Sequence, residues 1–295
     1  MTAKTLTYTR KQRAARYLRS HAFRTKCWQT ALGILIGIVF LFPLYWMVVT
    51  SLKTQLEIFQ VPTPLWPSAL HLESYIDQFT GKYYNTMNGF KNSVIIAVSS
   101  MVISTVLAIP AAYGLARFNI KGRKAIIIAF LVTQMMPSSL LLIPLFVQFK
   151  AMNLLNTYLG VIIADSTIGI PFSVIILRTY FVSIPKELDE AAQIDGCGHL
   201  SAFVKIMLPI AFPGVVVAAV FSLMFAWGDL VYGLNMLPEV MRPVTSGMYN
   251  YIQQYETIWN FIMAFGVIAI SPVLVIFIFM QRYIISGLTN GAVKA

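Results

Sequence analysis

Hydrophobic positions along this chain come in long runs, not in the one-sided stripes of water-soluble helices. Crossing a bilayer takes about 20 mostly apolar residues at about 1.5 Å rise each. Six runs meet that length: 27–51, 93–116, 125–149, 157–177, 206–227 and 261–281. Of the ionisable residues, only Asp165 lies well inside one of them. The first run is too long, and its basic leader (1–26) too extended, for a cleavable signal. Every run carries proline: Pro43, Pro110, Pro137 with Pro144, Pro171, Pro209 with Pro213, and Pro272. Proline removes a backbone donor and bends a helix, which membrane helices tolerate. Its recurrence in all six predicts bent helices bundled around a path.

Composition agrees with a bilayer as solvent, since 58% of residues are hydrophobic and only 11% charged, too few charges for a soluble surface. The net charge of +11 raises nucleic acid as a partner, but no RNA-recognition or zinc-finger pattern is present. The basic residues instead fall between the apolar runs. With the N-terminus inside, 17 of the 22 Lys and Arg residues lie in cytoplasmic segments. Positive-inside bias therefore predicts an all-α polytopic protein of six transmembrane helices in the cell membrane, both termini cytoplasmic. The leader, with Lys11, Arg13, Arg16, Arg19 and Arg24 among Tyr17, Leu18 and Phe23, serves as a topology signal; binding to lipid or a partner at the inner leaflet is the alternative. Cys27 and Cys197 belong to no CxxC pair and fall on one predicted cytoplasmic side, where disulfides are rare. With three scattered histidines and no HExxH or GxSxG motif, neither a metal site nor hydrolytic chemistry is expected.

The predicted cytoplasmic loop 178–205 departs from the others. It holds Glu187, Asp189, Glu190 and Asp195, all the acidic residues of the inner side, and carboxylates gain nothing from anionic headgroups. They are better placed facing a protein. Pro185 suits a first helical turn and Ser183 an N-cap, while Glu187 and Asp189 complement the helix dipole. Leu188, Ala191, Ala192 and Asp195 then share a face, and the paired alanines give it a low profile. Asp195-Gly196 predicts a turn. A second helix starts near His199, with Leu200, Phe203, Val204 and Met207 on one apolar side.

Glu190-Ala191-Ala192, Asp195-Gly196, Phe203, Leu208-Pro209 and Pro213 together resemble the EAA loop of ABC importer permeases. Further stretches are similar to the same family: Asn92-Ser93, Ala111-Ala112-Tyr113, Ala116-Arg117-Phe118, Gln134-Met135-Met136-Pro137, Ile143-Pro144-Leu145, Asn156-Thr157-Tyr158 and the closing Gly287-Leu288-Thr289 with Gly291-Ala292-Val293-Lys294. The ensemble resembles the smaller, six-span permease of maltose-type carbohydrate importers. At 228 this chain departs, with Trp227-Gly228-Asp229 where many relatives have Trp-Asn-Asp or Trp-Asn-Glu.

The resemblance implies a type I importer permease fold over residues 27–295. It makes Glu187, Glu190, Ala191, Ala192, Asp195 and Gly196 the coupling surface for a separate ATPase. The outer loop 228–260, with Pro238, Glu239, Val240, Met241 and Arg242, would enter a binding protein, and the tail (Gly287, Leu288, Gly291, Lys294) would reach the ATPase dimer. The alternatives are a plain connection for the loop and disorder for the tail, which is too glycine-rich to pack by itself. Asp165 lies about eight residues into its run, roughly 12 Å deep, where a carboxylate must face the bundle interior or water. It is either a polar contact on the substrate path, with Gln134 and Asp229, or a brace hydrogen-bonded to Gln134, Ser166 or Thr167.

The expected function is the permease of an ATP-driven, binding-protein-dependent oligosaccharide importer. Lacking GxxxxGK[ST], the chain binds no nucleotide of its own. ATP and Mg belong to the partner ATPase, present in two copies beside a second permease subunit and an extracytoplasmic sugar-binding protein. The rival is an ion-coupled secondary transporter centred on Asp165, a class that usually offers several intramembrane charges or an internal repeat.

Overall fold

The computed structural model describes the backbone of residues 3–81, 84–252 and 257–292, and the side chains of 25–81, 84–252, 257–281 and 283. Among the described residues all regular elements are helical, apart from an isolated bridge between Ile252 and Thr257. The chain forms two units, Met1–His71 and Leu72–Ala295.

The first unit holds α1 (Ala3–Ser51), whose backbone runs from the leader through Pro43, and the short α2 (Gln55–Ile58). Beyond α1 the chain is tied into a compact hook. The Tyr45 hydroxyl donates to the Leu65 carbonyl at 2.8 Å and its ring meets Trp66 edge-on at 5.5 Å. The Lys53 ammonium donates to the Pro64 carbonyl and lies 4.7 Å from the centre of the Trp46 ring. Thr54 and Glu57 cap α2 reciprocally, satisfying donors that a helix start leaves free.

The second unit contains α3 (Glu73–Thr80), α4 (Thr86–Arg117), α5 (Arg123–Met135), α6 (Ser138–Ala151), α7 (Tyr158–Ser183), α8 (Glu187–Ile194) and α9 (His199–Ala202). A π-helical turn (Phe203–Met207) leads into α10 (Leu208–Ile210) and α11 (Phe212–Trp227). Then come α12 (Val231–Met236), two 3₁₀ segments (Glu239–Met241 and Val244–Tyr251) and α13 (Trp259–Ala292).

Among the described residues, four helices are each long and apolar enough to cross a membrane: Thr25–Ser51, Thr86–Arg117, Tyr158–Ser183 and Trp259–Gln281. The third and fifth apolar runs are not single helices. The third breaks by 101° between α5 and α6, and the fifth by 74° between His199–Ile210 and Phe212–Trp227. Pro137 explains the first break: it forces Met136, the residue before it, into extended backbone at ψ 123°. The second break falls at Ala211, two residues before Pro213. Pro43, Pro110, Pro144, Pro171 and Pro272 lie inside continuous helices.

Helices α4, α7 and α11 form the centre, and they approach through small residues, as lipid-embedded helices do. A Cβ on Gly169 would lie 2.5 Å from the Ser104 hydroxyl, and one on Gly214 would lie 2.4 Å from the Tyr180 ring. Ser173 and Ser222 share a hydrogen bond at 2.8 Å. Towards the α8 end Ala108, Ala112 and Leu115 pack with Leu177, Phe181 and Met207. Towards the other end of α4, Ile96 packs with Val161 and Tyr232, and Ala97 with Trp227 and Phe265.

Candidate functional site

The acidic loop folds as a short helix, a turn and a second short helix, as its pattern predicts, but its start and its faces differ. Helix α8 begins at Glu187 after Lys186, with no side-chain cap. Ser183 instead ends α7, its hydroxyl donating to the Tyr180 carbonyl at 2.7 Å. Glu187, Asp189 and Glu190 do occupy the first turn, where the helix dipole favours them. At the other end Gly196 takes φ +84°, its N–H donating to the Gln193 carbonyl, while Cys197 donates to that of Ala192. Left-handed backbone here requires glycine.

The paired alanines do not form one outward face. Ala192 is only 2% exposed and packs into the protein, whereas Ala191, Glu187, Glu190, Ile194 and Asp195 are exposed. The cause is the tether beneath α8. Arg117, at the end of α4, pairs with Asp189 at 2.8 Å, the two side chains 7% and 14% exposed. Its Nη2 donates to the Ile184 carbonyl at 2.9 Å, and the Tyr113 hydroxyl donates to Asp189 at 3.4 Å. In the second helix the Phe203 ring lies 4.6 Å from that of Tyr113, tilted by 36°, and Met207 is fully buried, but Leu200 and Val204 face outward. The π-helical turn at Phe203–Met207 resets the helical phase, so the expected single apolar side is split.

At the opposite end of α4, the loop after α11 is a built structure. Asn92 donates to the carbonyls of Val240 (3.0 Å) and Arg242 (2.9 Å) and accepts from the Tyr158 hydroxyl at 2.8 Å. Asn88 donates to Val240 at 2.6 Å, and Ser93 accepts from the Val244 N–H at 2.8 Å. Glu239 and Val240 stay exposed, with Pro238, Met241 and Arg242 half-buried.

Asp165 is 7% exposed, and its Oδ2 has no hydrogen-bond partner among the described residues. Of the two readings of Asp165, the brace finds no bond among the described residues: Gln134 donates to the Ile168 carbonyl, Ser166 to Ile162 and Thr167 to Ala164. Each hydroxyl reaches back within α7, the usual outlet for Ser and Thr inside a helix. Asp229 accepts from the N–H groups of Tyr232 (3.2 Å) and Gly233 (2.8 Å) at the start of α12. Burial raises its pKa, and those donors hold it down in part. Tyr232 is fully buried, its hydroxyl without a partner among the described residues. Burial first, then the charges of Asp229 and Asp165, push its phenol up to about 12. Gly228 lines an apolar groove of about 430 Å³ with Met224, Trp227, Thr245, Phe265 and Ala269.

Gly287, Leu288 and Gly291 continue α13, in place of a flexible tail, and Lys294 lies outside the described residues. Reading the sequence missed the roles of Tyr113, Arg117 and Tyr232. Arg117 stands in the family-like Ala116-Arg117-Phe118 stretch, but its partner Asp189 lies 72 positions further on, so no local pattern pairs the two.

The family described as "Binding-protein-dependent transport system inner membrane component" matches residues 89–290. The chain belongs to this family, and is thus a multi-pass membrane protein, the permease of an ABC importer and not itself an enzyme. It is 32% identical over 255 residues to the sulfoquinovosyl glycerol transport system permease protein SmoH of Agrobacterium fabrum, covering 86% of this chain and 89% of that one. It is likewise 32% identical to the trehalose transport system permease protein SugB of Mycobacterium tuberculosis, covering 92% and 99%. The fold matches a chain of a bacterial ABC transporter involved in import of the acidic polysaccharide alginate, with TM-score 0.70, 20% identity, and 86% and 94% of the two chains covered.

Proposed function

We propose that this permease imports an oligosaccharide or similar polyol and takes its energy from a separate ATPase docked on α8. The exposed acidic surface of Glu187, Glu190, Ala191 and Asp195, ended by Gly196 and backed by the buried Arg117–Asp189 pair, carries this reading. A charged helix held rigidly from behind suits a protein partner better than lipid. Relatives named for trehalose, diacetylchitobiose and sulfoquinovosyl glycerol transport support the substrate class.

In this reading the chain makes six spans, the two bent pairs counting as one each, with both termini and α8 cytoplasmic. It pairs with a second permease and two ATPase subunits that hold ATP and Mg, and it receives sugar from an extracytoplasmic binding protein at the Pro238–Arg242 loop. Gly287, Leu288, Gly291 and Lys294 reach towards the ATPase. ATP binding shifts a two-state equilibrium at one face and loaded binding protein shifts it at the other.

The test is crosslinking from Ala191→Cys in native membranes, with capture of an ATP-hydrolysing subunit expected. Failure to capture one from any exposed α8 position overturns the docking assignment. The unpartnered Asp165 oxygen is the one observation favouring ion coupling, and uptake driven by an ion gradient without ATP would support that rival.

A further inference from the structure

Helix α4 holds a polar joint at each end and is packed in between. Its buried face runs from Asn92 through Ser100 and Ala108 to Leu115 without a gap, against α7 and α11. Asn92 and Arg117 lie about 25 residues apart, or about 38 Å of helix axis. At one joint a fully used Asn92 side chain grips two backbone carbonyls of the 240–242 segment. At the other, Arg117 grips Asp189 and the Ile184 carbonyl. Neither joint is a loose surface contact: Asn92 is 1% exposed and the Arg117 side chain 7%.

We propose that α4 is the transmission rod of this permease. Arg117 is the positioning residue that makes it follow α8, and Asn92 the one that makes the 240–244 segment follow α4. Separating α8 from α4 breaks a largely enclosed charge pair together with the hydrogen bonds of Arg117 to Ile184 and of Tyr113 to Asp189, all of which are lost at once. The two elements therefore move together. Sliding the loop away from α4 similarly strands the Asn92 amide and two carbonyls. Packed helices shift as units, so displacement of α8 arrives at Val240 with little loss. The proposal rests on the importer reading above and adds to it the route by which the two faces are linked.

The experiment uses the complete complex purified with its ATPase, carrying Val240→Cys in a Cys27→Ser, Cys197→Ser background. Val240 is 71% exposed, and its maleimide labelling rate is read before and after ATP with vanadate. In the parent a change of at least threefold is expected. Arg117→Leu and Asn92→Ala should each abolish it in complexes that keep the parent's subunit stoichiometry; both lower the thermal midpoint, because each strands a partner, so rescue by charge exchange is the readout that a merely structural role would not give. The charge exchange Arg117→Asp with Asp189→Arg should restore at least half of the response. Where Arg117→Leu fails to assemble, Arg117→Gln and Asp189→Asn, close in shape, take its place. An undiminished response in assembled Arg117 and Asn92 variants overturns the rod while leaving the importer reading intact. A parent complex that contains no ATPase removes the importer reading, and the rod with it.

Discussion

Adjacent residues of similar chemistry have opposite fates here, and each contrast is a measurement. Ala192 is buried and Ala191 exposed, so Ala192→Leu should cost about 1–3 kcal/mol through overpacking, while Ala191→Leu should stay within about 0.5 kcal/mol. Thermal unfolding of the detergent-purified protein separates the two. The Tyr232 hydroxyl is buried without a partner among the described residues, and such a group is a cost in itself. Tyr232→Phe should therefore leave the thermal midpoint unchanged or raise it. Gly228 has ordinary backbone (φ −79°), and a Cβ there meets nothing closer than 3.3 Å. A Cβ there presses on the Met224 carbonyl oxygen, so Gly228→Asn should fold only with a small local backbone shift and place its side chain in the groove beside Trp227. None of these three distinctions can be read from residue type, because each depends on which neighbour the helix faces.

At the scale of elements, legibility followed how local the cause is. The turn at Gly196 and the acidic start of α8 depend on a handful of consecutive residues, and the sequence shows both. The break at Pro137 was only half visible: proline marks a bend, but Pro144 and Pro171 lie in unbroken helices, and surrounding packing decides which proline yields. The Arg117–Asp189 tether and the Asn92 clamp join residues 72 and about 150 positions apart, beyond any local pattern. The hook after α1 supplies a pH test. The Ser68 hydroxyl first, then the N–H groups of Thr54 and Ser68, hold the Glu57 carboxyl down at about 2, from an ordinary 4.5. The unfolded hook thus binds the proton more readily. The contribution of Glu57 to its stability is full above about 4.5 and is lost as pH falls towards 2. Proteolytic nicking of residues 52–71 should accelerate across that window, and Glu57→Gln should remove the acceleration.

At the scale of the whole molecule, composition and the run lengths displayed the membrane class, and the motif spacing displayed the family. The sidedness of the chain rests on its basic residues, and it has a direct test. In intact cells a membrane-impermeant maleimide should label Val240→Cys and leave Cys197 unlabelled until the membrane is opened. Labelling in the reverse order would invert the assigned topology.

Trp28 and Trp46 stand about 18 residues apart on α1, which places them about 27 Å apart along its axis. That is close to the roughly 30 Å hydrocarbon thickness of a bilayer. Indole rings settle at the headgroup boundary, and Tyr45 and Trp66 crowd the same end as Trp46. As one of the six proposed spans, this helix acts as a built-in ruler for the lipid around it: in a thicker bilayer one of its two tryptophans must sink, and brominated lipids of graded depth would show which one gives way.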